Sequence, residues 1–239
     1  MRLELSAMGT HTLHLKEMEM KKASSAERRG SFRIPRTKQE WAAEGLDWIK
    51  SIAVVLAIFL PIMTFVVQGY RIPSGSMEDT LLIGDFLFAD KVTYGARVPF
   101  LAPARVPGFR RPEPGDIVIF KSPETGETLI KRCVAIGGQT VEMRNKVLFI
   151  DDEAQQEEYV KHIDPRVNPR THPGRDSWGP LVVPQGHLLM LGDNRDASRD
   201  SRFFGTVPFE LVIAKADILY FSFDKDKFLP RIWRIGKLL

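Results

Sequence analysis

Three short stretches of this chain carry side chains that could do covalent chemistry together. The first is Ile72-Pro73-Ser74-Gly75-Ser76-Met77, where small residues and glycine allow a tight turn, close backbone approach and an exposed hydroxyl. A serine becomes a nucleophile only beside a base. Histidine is the usual base, and the chain has five. His11 and His14 precede a long apolar run, His162 and His172 lie in a polar excursion, and His187 opens an apolar strand, so no Ser-His-Asp set stands out. The second stretch offers lysine instead, in Thr128-Leu129-Ile130-Lys131-Arg132-Cys133-Val134-Ala135-Ile136. Strand alternation would put Leu129, Lys131 and Cys133 on one face and Ile130, Arg132 and Val134 on the other, so that Lys131 projects from an otherwise apolar surface. Desolvation disfavours an ammonium ion and lowers its pKa. A neutral amine within reach of Ser76 can take its proton, and serine–lysine pairs are one form of serine-protease chemistry. The plain alternatives are an exit turn at Ser74-Gly75-Ser76 and an exposed edge strand at Lys131-Arg132, where lysine discourages aggregation.

The third stretch, Gly192-Asp193-Asn194-Arg195-Asp196-Ala197-Ser198-Arg199-Asp200-Ser201-Arg202, alternates carboxylates, guanidiniums and hydroxyls. Such a loop can form a dense hydrogen-bonded frame built on bidentate Arg–carboxylate pairs. A charged surface loop is the simpler reading. A calcium loop fits poorly, because Arg195 interrupts the acidic positions and no closing glutamate follows. The single cysteine, Cys133, allows no intrachain disulfide and no cysteine-based zinc site, and reads as a small core residue. A hydrophobic content of 44% with 27% charged residues argues against disorder of the whole chain.

Positioning these groups falls to two kinds of element. Ser51 to Tyr70, SIAVVLAIFLPIMTFVVQGY, is uncharged and at helical rise spans about 30 Å, the thickness of a bilayer core. Pro61 within it is tolerable in a membrane helix. Lys21, Lys22, Arg28, Arg29, Arg33, Arg36 and Lys38 precede the run, while Arg71, Glu78, Asp79 and Asp85 follow it. That asymmetry puts the N-terminus in the cytosol and residues from about 71 onward outside. Beyond the run come short strand-like segments, Phe86–Ala89, Asp116–Phe120, Leu129–Ile136, Lys146–Ile150, His187–Leu191 and Ala216–Phe223, separated by Pro/Gly turns. They predict a mostly β outer part, a coiled or barrel-like set of antiparallel sheets. Gly95–Pro114 and Asp151–Pro184 read as inserts. In the tail, Phe221, Phe223, Phe228 and Trp233 mix with Arg231, Arg234 and Lys237, a composition suited to a lipid interface; a last strand with a solvated end is the alternative.

Five blocks in order carry a resemblance to the bacterial type I signal peptidases (leader peptidases). They are Pro73-Ser74-Gly75-Ser76-Met77-Glu78-Asp79-Thr80-Leu81, Gly84–Gly95, Arg111–Phe120, Lys131-Arg132 and Gly192–Arg202. The resemblance implies a coiled antiparallel β-sheet catalytic domain with a small inserted subdomain, behind one N-terminal transmembrane helix. The corresponding divisions are a basic tail at 1–47, an anchor at 48–70, catalytic β segments at 71–138 and 187–239, and the insert at 139–186. It also implies roles: Ser76 as nucleophile, Lys131 as general base, and Ser74 with the Ser76 N–H as oxyanion donors. Ser198 would orient the amine, with Asp200 and Arg202 as its supporting pair. Tyr70, Ile72, Met77, Leu81, Ile119 and Ile130 would line shallow pockets for small residues at the first and third positions before the cut; core packing is their plain alternative. No metal or other cofactor is implied. The implied partners are preprotein signal peptides, the lipid bilayer and the neighbouring export machinery, and nucleic acid is not among them. The implied location is the bacterial inner membrane, single-pass, with the catalytic domain on the outer side.

Two departures stand out. Asp79 occupies a position where the family usually has proline, and Ala135-Ile136-Gly137-Gly138-Gln139 replaces the usual Gly-Leu-Pro-Gly-Asp. Two other readings stay open: a non-catalytic membrane-tethered β domain that binds exported chains, and a Ser–Lys protease with one dedicated substrate.

Overall fold

The structure is a computed structural model, described here for residues 37–96, 105–168 and 174–239. The basic tail up to Arg36, His11, His14 and His172 lie outside the described residues. Helix α1 runs from Lys38 to Pro61 and passes into a π-helical turn at Ile62–Val66. Among the described residues, one helical segment, Glu44–Val66, is long and apolar enough to cross a membrane, with a mean hydropathy of 2.3 and none of it buried. Trp48, Ile52, Val55, Ile58 and Leu60 are exposed around its circumference. Its charges, Glu44, Asp47 and Lys50, are confined to its first seven residues, and Ser51–Val66 is uncharged on every side, a pattern that suits an apolar surrounding.

The uncharged run does not stay helical to Tyr70. Val67–Arg71 is a strand, β1, paired antiparallel with β2 (Asp85–Asp90). Beyond Pro61 the residues Val66, Val67 and Gly69 are poor helix formers. Lys91 closes the helical end from outside: its N–H bonds Val66 O at 2.9 Å and its Nζ reaches Thr64 O at 3.0 Å.

The main sheet is antiparallel, in the order β1, β2, β11 (Val212–Asp224), β3 (Ile117–Lys121), β4 (Thr128–Ile136), β9 (His187–Leu191), β10 (Val207–Pro208). A second sheet within 140–182 holds β5 (Thr140–Arg144), β6 (Val147–Ile150), β7 (Glu153–Ala154) and β8 (Trp178–Val182), in the order β7, β6, β5, β8. Val141, Met143 and Leu148 of the second sheet pack with Ala135, Leu189 and Leu191 of the first. Strand β2 shows how pattern becomes packing. Leu87 and Ala89 are buried, while Phe86 and Phe88 alternate to the other face and meet Phe221 and Tyr220 of β11. The strands β1, β5 and β8, and the two-residue strands β7, β10 and β12 (Leu229–Pro230), fall outside the segments expected from sequence. β1 was hidden inside the apolar run, and β5 (Thr-Val-Glu-Met-Arg) alternates too briefly to stand out.

The C-terminal residues are not simply a solvated end. A two-residue strand, β12 (Leu229–Pro230), pairs with β11, and Arg234 turns back into the core. Its Nε and Nη2 donate to Asp85 Oδ1 and Oδ2 at 3.1 and 2.6 Å, and Nη2 also reaches Thr80 O at 2.9 Å. Asp85 has no exposed surface. Without Arg234 the buried Asp85 would keep the Ser222 hydroxyl (2.6 Å), the Leu82 N–H (2.8 Å) and Arg231 at 4.0 Å but lose its two closest charged donors, so Arg234→Ala is expected to destabilise the fold by about 1–3 kcal/mol in a denaturant titration.

Candidate active site

Ser76 sits on the loop between β1 and β2, whose neck is closed by Ile72 N–H to Asp85 O (2.9 Å) and Gly84 N–H to Ile72 O (3.1 Å). Lys131 lies in the middle of β4, opposite Val118 of β3. The fold brings the two together: Lys131 Nζ stands 2.5 Å from Ser76 Oγ, across 55 positions of sequence. Lys131 is only 4% exposed. Leu129 and Cys133 pack into one apolar cluster and Ile130 into another, as the alternation predicts. Burial is the main force on the amine and pulls its pKa down to about 8; Arg202 adds to this, while Asp200 and Asp193 oppose it. A lysine in this state exchanges its proton near neutrality and can accept one from Ser76.

Three consecutive residues after β9 hold the serine loop. A Cβ on Gly192 would stand 2.5 Å from Ser76 O and 2.2 Å from Ser198 Oγ, so only glycine allows the approach. Asp193 takes both forks of Arg132 (Nε to Oδ1 at 2.9 Å, Nη2 to Oδ2 at 2.7 Å) and the Thr80 hydroxyl at 2.6 Å. It therefore ties the strand that carries Lys131 to the loop that carries Ser76. Asn194 donates its N–H to Ser76 O at 3.2 Å and its Nδ2 to Gly75 O at 3.1 Å. The sequence marked this loop as a frame but assigned no role to Asp193, Asn194, Arg132 or Thr80. The Arg132–Asp193 pair was the readable signal, an arginine beside the candidate base and a carboxylate inside the charged loop. Gly192→Ala should cut cleavage at least 100-fold while the protein stays folded; near-normal rates in a turnover assay would show that the loop can give way.

Asp200 and Arg202 form the expected bidentate pair, Nε to Oδ1 and Nη2 to Oδ2, both at 2.8 Å. Burial opposes ionisation of Asp200, but the Arg202 guanidinium and the Gly192 N–H together hold its carboxyl below the usual range. Ser74 Oγ lies 3.4 Å from Ser76 Oγ. Ser198 departs from expectation. Its hydroxyl is buried beside Gly192 and makes no hydrogen bond to Lys131 or to any other described residue. Of the six apolar residues expected to line pockets, all belong to one cluster, but Leu81 and Ile119 have no exposed surface and Ile72 and Met77 almost none. They form a floor, and the surface above it comes from the half-buried Tyr70 and Ile130. Among the described histidines, neither reaches Ser76: His187 Nδ1 is 3.0 Å from Thr206 Oγ1, and His162 sits beside Asp196.

Comparison with known proteins places these features in a group. Residues 45–221 match the family described as "Signal peptidase, peptidase S26". The signal peptidase I of Pseudomonas aeruginosa is 32% identical over 227 residues, covering 80% of this chain and 78% of that protein. That of Rickettsia bellii is 33% identical over 221 residues, covering 78% of this chain and 74% of its own length. A crystal structure of a signal peptidase I from Enterococcus faecalis covers 44% of this chain and 97% of its own at 33% identity, with a TM-score of 0.37, too low to bear on the fold.

Proposed function

Since the chain belongs to the signal peptidase family, peptidase S26, and is a serine endopeptidase that removes signal peptides, we propose that Ser76 is its nucleophile and neutral Lys131 its general base, acting on exported preproteins at the surface of the bacterial inner membrane. The single observation that carries this reading is the 2.5 Å approach of a buried amine to the Ser76 hydroxyl. Lys131 takes the hydroxyl proton as Ser76 attacks the scissile carbonyl. As the tetrahedral intermediate collapses, the Lys131 ammonium returns that proton to the amine of the mature chain, which departs and leaves the signal peptide as an acyl-enzyme; Lys131, neutral again, then takes a proton from the deacylating water and gives it back to Ser76 Oγ as the signal peptide leaves as a carboxylate. Ser74 Oγ and the Ser76 N–H act as oxyanion donors.

The substrate's path follows from two strand edges that have no strand partner among the described residues. β1 is the end strand of its sheet, and Thr128–Lys131 of β4 pair only with β3. Tyr70 from β1 and Thr128 from β4 both line a cleft of about 270 Å³, together with Gln68, Lys91, Lys121 and Ile213. An extended peptide laid there gains main-chain hydrogen bonds, with Tyr70 and Ile213 as apolar lining. The helix α1 confines the site to the membrane surface, which raises its effective concentration toward a substrate whose own apolar segment lies in the same bilayer. The exposed Phe228, Leu229, Ile232 and Trp233 add a second apolar contact with the lipid interface.

The reading is tested with the full chain reconstituted in phospholipid vesicles and a panel of unrelated preproteins, the products read by N-terminal sequencing. Cleavage of several, each after a small residue at the end of the signal peptide, is expected. Cleavage of one alone would favour a dedicated protease, and binding without cleavage a non-catalytic tether.

A further inference from the structure

We propose that Asn194 is a positioning residue for the oxyanion site: by holding the Gly75 carbonyl it fixes the direction in which the Ser76 N–H points. The inference rests on the reading of Ser76 as nucleophile. A trans peptide is planar, so its C=O and N–H point in opposite directions. In the Gly75–Ser76 peptide, both lone pairs of Gly75 O are engaged, one by Glu78 N–H at 3.1 Å and one by Asn194 Nδ2 at 3.1 Å. The Ser76 N–H, on the opposite side of that plane, donates to nothing among the described residues. A free N–H on the nucleophile itself, with its carbonyl partner tied down, is the arrangement an oxyanion donor needs.

The plane needs holding because Gly75 carries no Cβ and offers little steric resistance to its rotation. Asn194 is suited to the task. It is 1% exposed, and its neighbours fix its own backbone: Lys161 N–H bonds Asp193 O at 2.8 Å, and Arg195 N–H bonds Lys161 O at 3.0 Å. Its amide orientation is set by chemistry, since Gly75 O and Glu78 Oε2 (3.3 Å) are both acceptors and must face the NH2 group. Asn194 thus grips both ends of the nucleophile's backbone, Ser76 O through its N–H and Gly75 O through its side chain. It touches no atom that reacts, so its effect is on the transition state through geometry alone.

Asn194→Asp is nearly isosteric and keeps the backbone N–H bond, but turns an acceptor oxygen toward Gly75 O. With a model preprotein in vesicles, it is expected to lower kcat on the order of 100-fold, one oxyanion donor's worth, and to leave KM within about threefold. Affinity for a peptide boronate, which forms a tetrahedral adduct on the serine, should fall in step with kcat, while affinity for an uncleavable peptide should not change. The pH midpoint of the rate should stay in place in Asn194→Ala, which adds no charge, whereas the carboxylate of Asn194→Asp should move it upward, the direction in which Asp193 already acts on Lys131. Asn194→Ala, free of the added charge, should show the same split at smaller size. A raised KM with kcat intact, or boronate and uncleavable peptide weakened equally, would overturn the proposal. Ser76→Ala separates the two claims: if that variant keeps turning over, the nucleophile reading falls first, whereas an inactive Ser76→Ala beside a fully active Asn194→Asp removes the Asn194 inference alone.

Discussion

Lys131→Met should abolish cleavage and make the protein more stable, a pairing that a structural lysine would not give. The methionine keeps the length and apolar contacts of the side chain but has no proton acceptor. Removing the base of a nucleophile–base pair typically costs on the order of 10⁴–10⁶-fold in turnover. The stability gain follows from the position of the amine. Its pKa lies at about 8 rather than 10.5, so at neutral pH the fold holds an ammonium ion in a site that disfavours it. That difference corresponds to about 3 kcal/mol, offset in part by the lost hydrogen bond to Ser76, worth about 1 kcal/mol. A net gain of about 2 kcal/mol is expected in a denaturant titration at pH 7, with cleavage below detection in the same preparation. A surface lysine that merely decorated a strand edge would give neither result.

Ser76→Ala should lose turnover to the same extent, and the double variant with Lys131→Met should be no worse than either alone. Two residues that act as one unit are not additive, because the second loss removes nothing that still functions. Ser76 is only half-buried, and replacing its hydroxyl leaves the Asn194 bond to Ser76 O and the Asp193 bond to Thr80 in place. The fold and the affinity for uncleaved substrate should therefore survive. Turnover by the two single variants and the double, measured on one model preprotein, checks this. Multiplicative losses would mean that the serine and the lysine contribute independently.

Much of this site was legible because its chemistry is local in sequence. Ser74-Gly75-Ser76, Lys131-Arg132 and Asp200–Arg202 each show their residue types within a few positions, and β4 and β9 announce themselves by composition. What was not legible depends on contacts between distant segments. Strand β1 looked like the end of a membrane helix because Val67-Gln68-Gly69-Tyr70 is uncharged and continues an apolar run; only pairing with Asp85–Asp90 makes it a strand. Arg234 read as an interfacial cation, since nothing in a tail sequence shows that it will meet Asp85 across 149 positions. Four of the residues assigned to pockets, Ile72, Met77, Leu81 and Ile119, are almost fully buried, because pocket floors and cores draw on the same apolar types and sequence alone does not separate them. Asp79, the departure from the family pattern, has φ +77, which proline cannot adopt. Lys161 Nζ holds the Asp79 side chain, 3.0 Å from its Oδ1.

The protonation state of Lys131 is where the mechanism stands or falls, and its titration can be followed directly from the ¹³Cε shift of labelled lysine, with Lys131→Met for assignment, alongside kcat/KM against pH. Below about 8 the amine is protonated in the folded protein and cannot accept the serine proton, so the rate should rise about tenfold per pH unit and level off above the midpoint. Stability should rise with pH over the window from about 8 to 10.5, where the unfolded chain still binds a proton that the folded chain has released. A Lys131 midpoint near 8 that coincides with the kinetic one is the predicted result. A Lys131 that stays protonated to pH 10 or above while cleavage proceeds at full rate at pH 8 would contradict it.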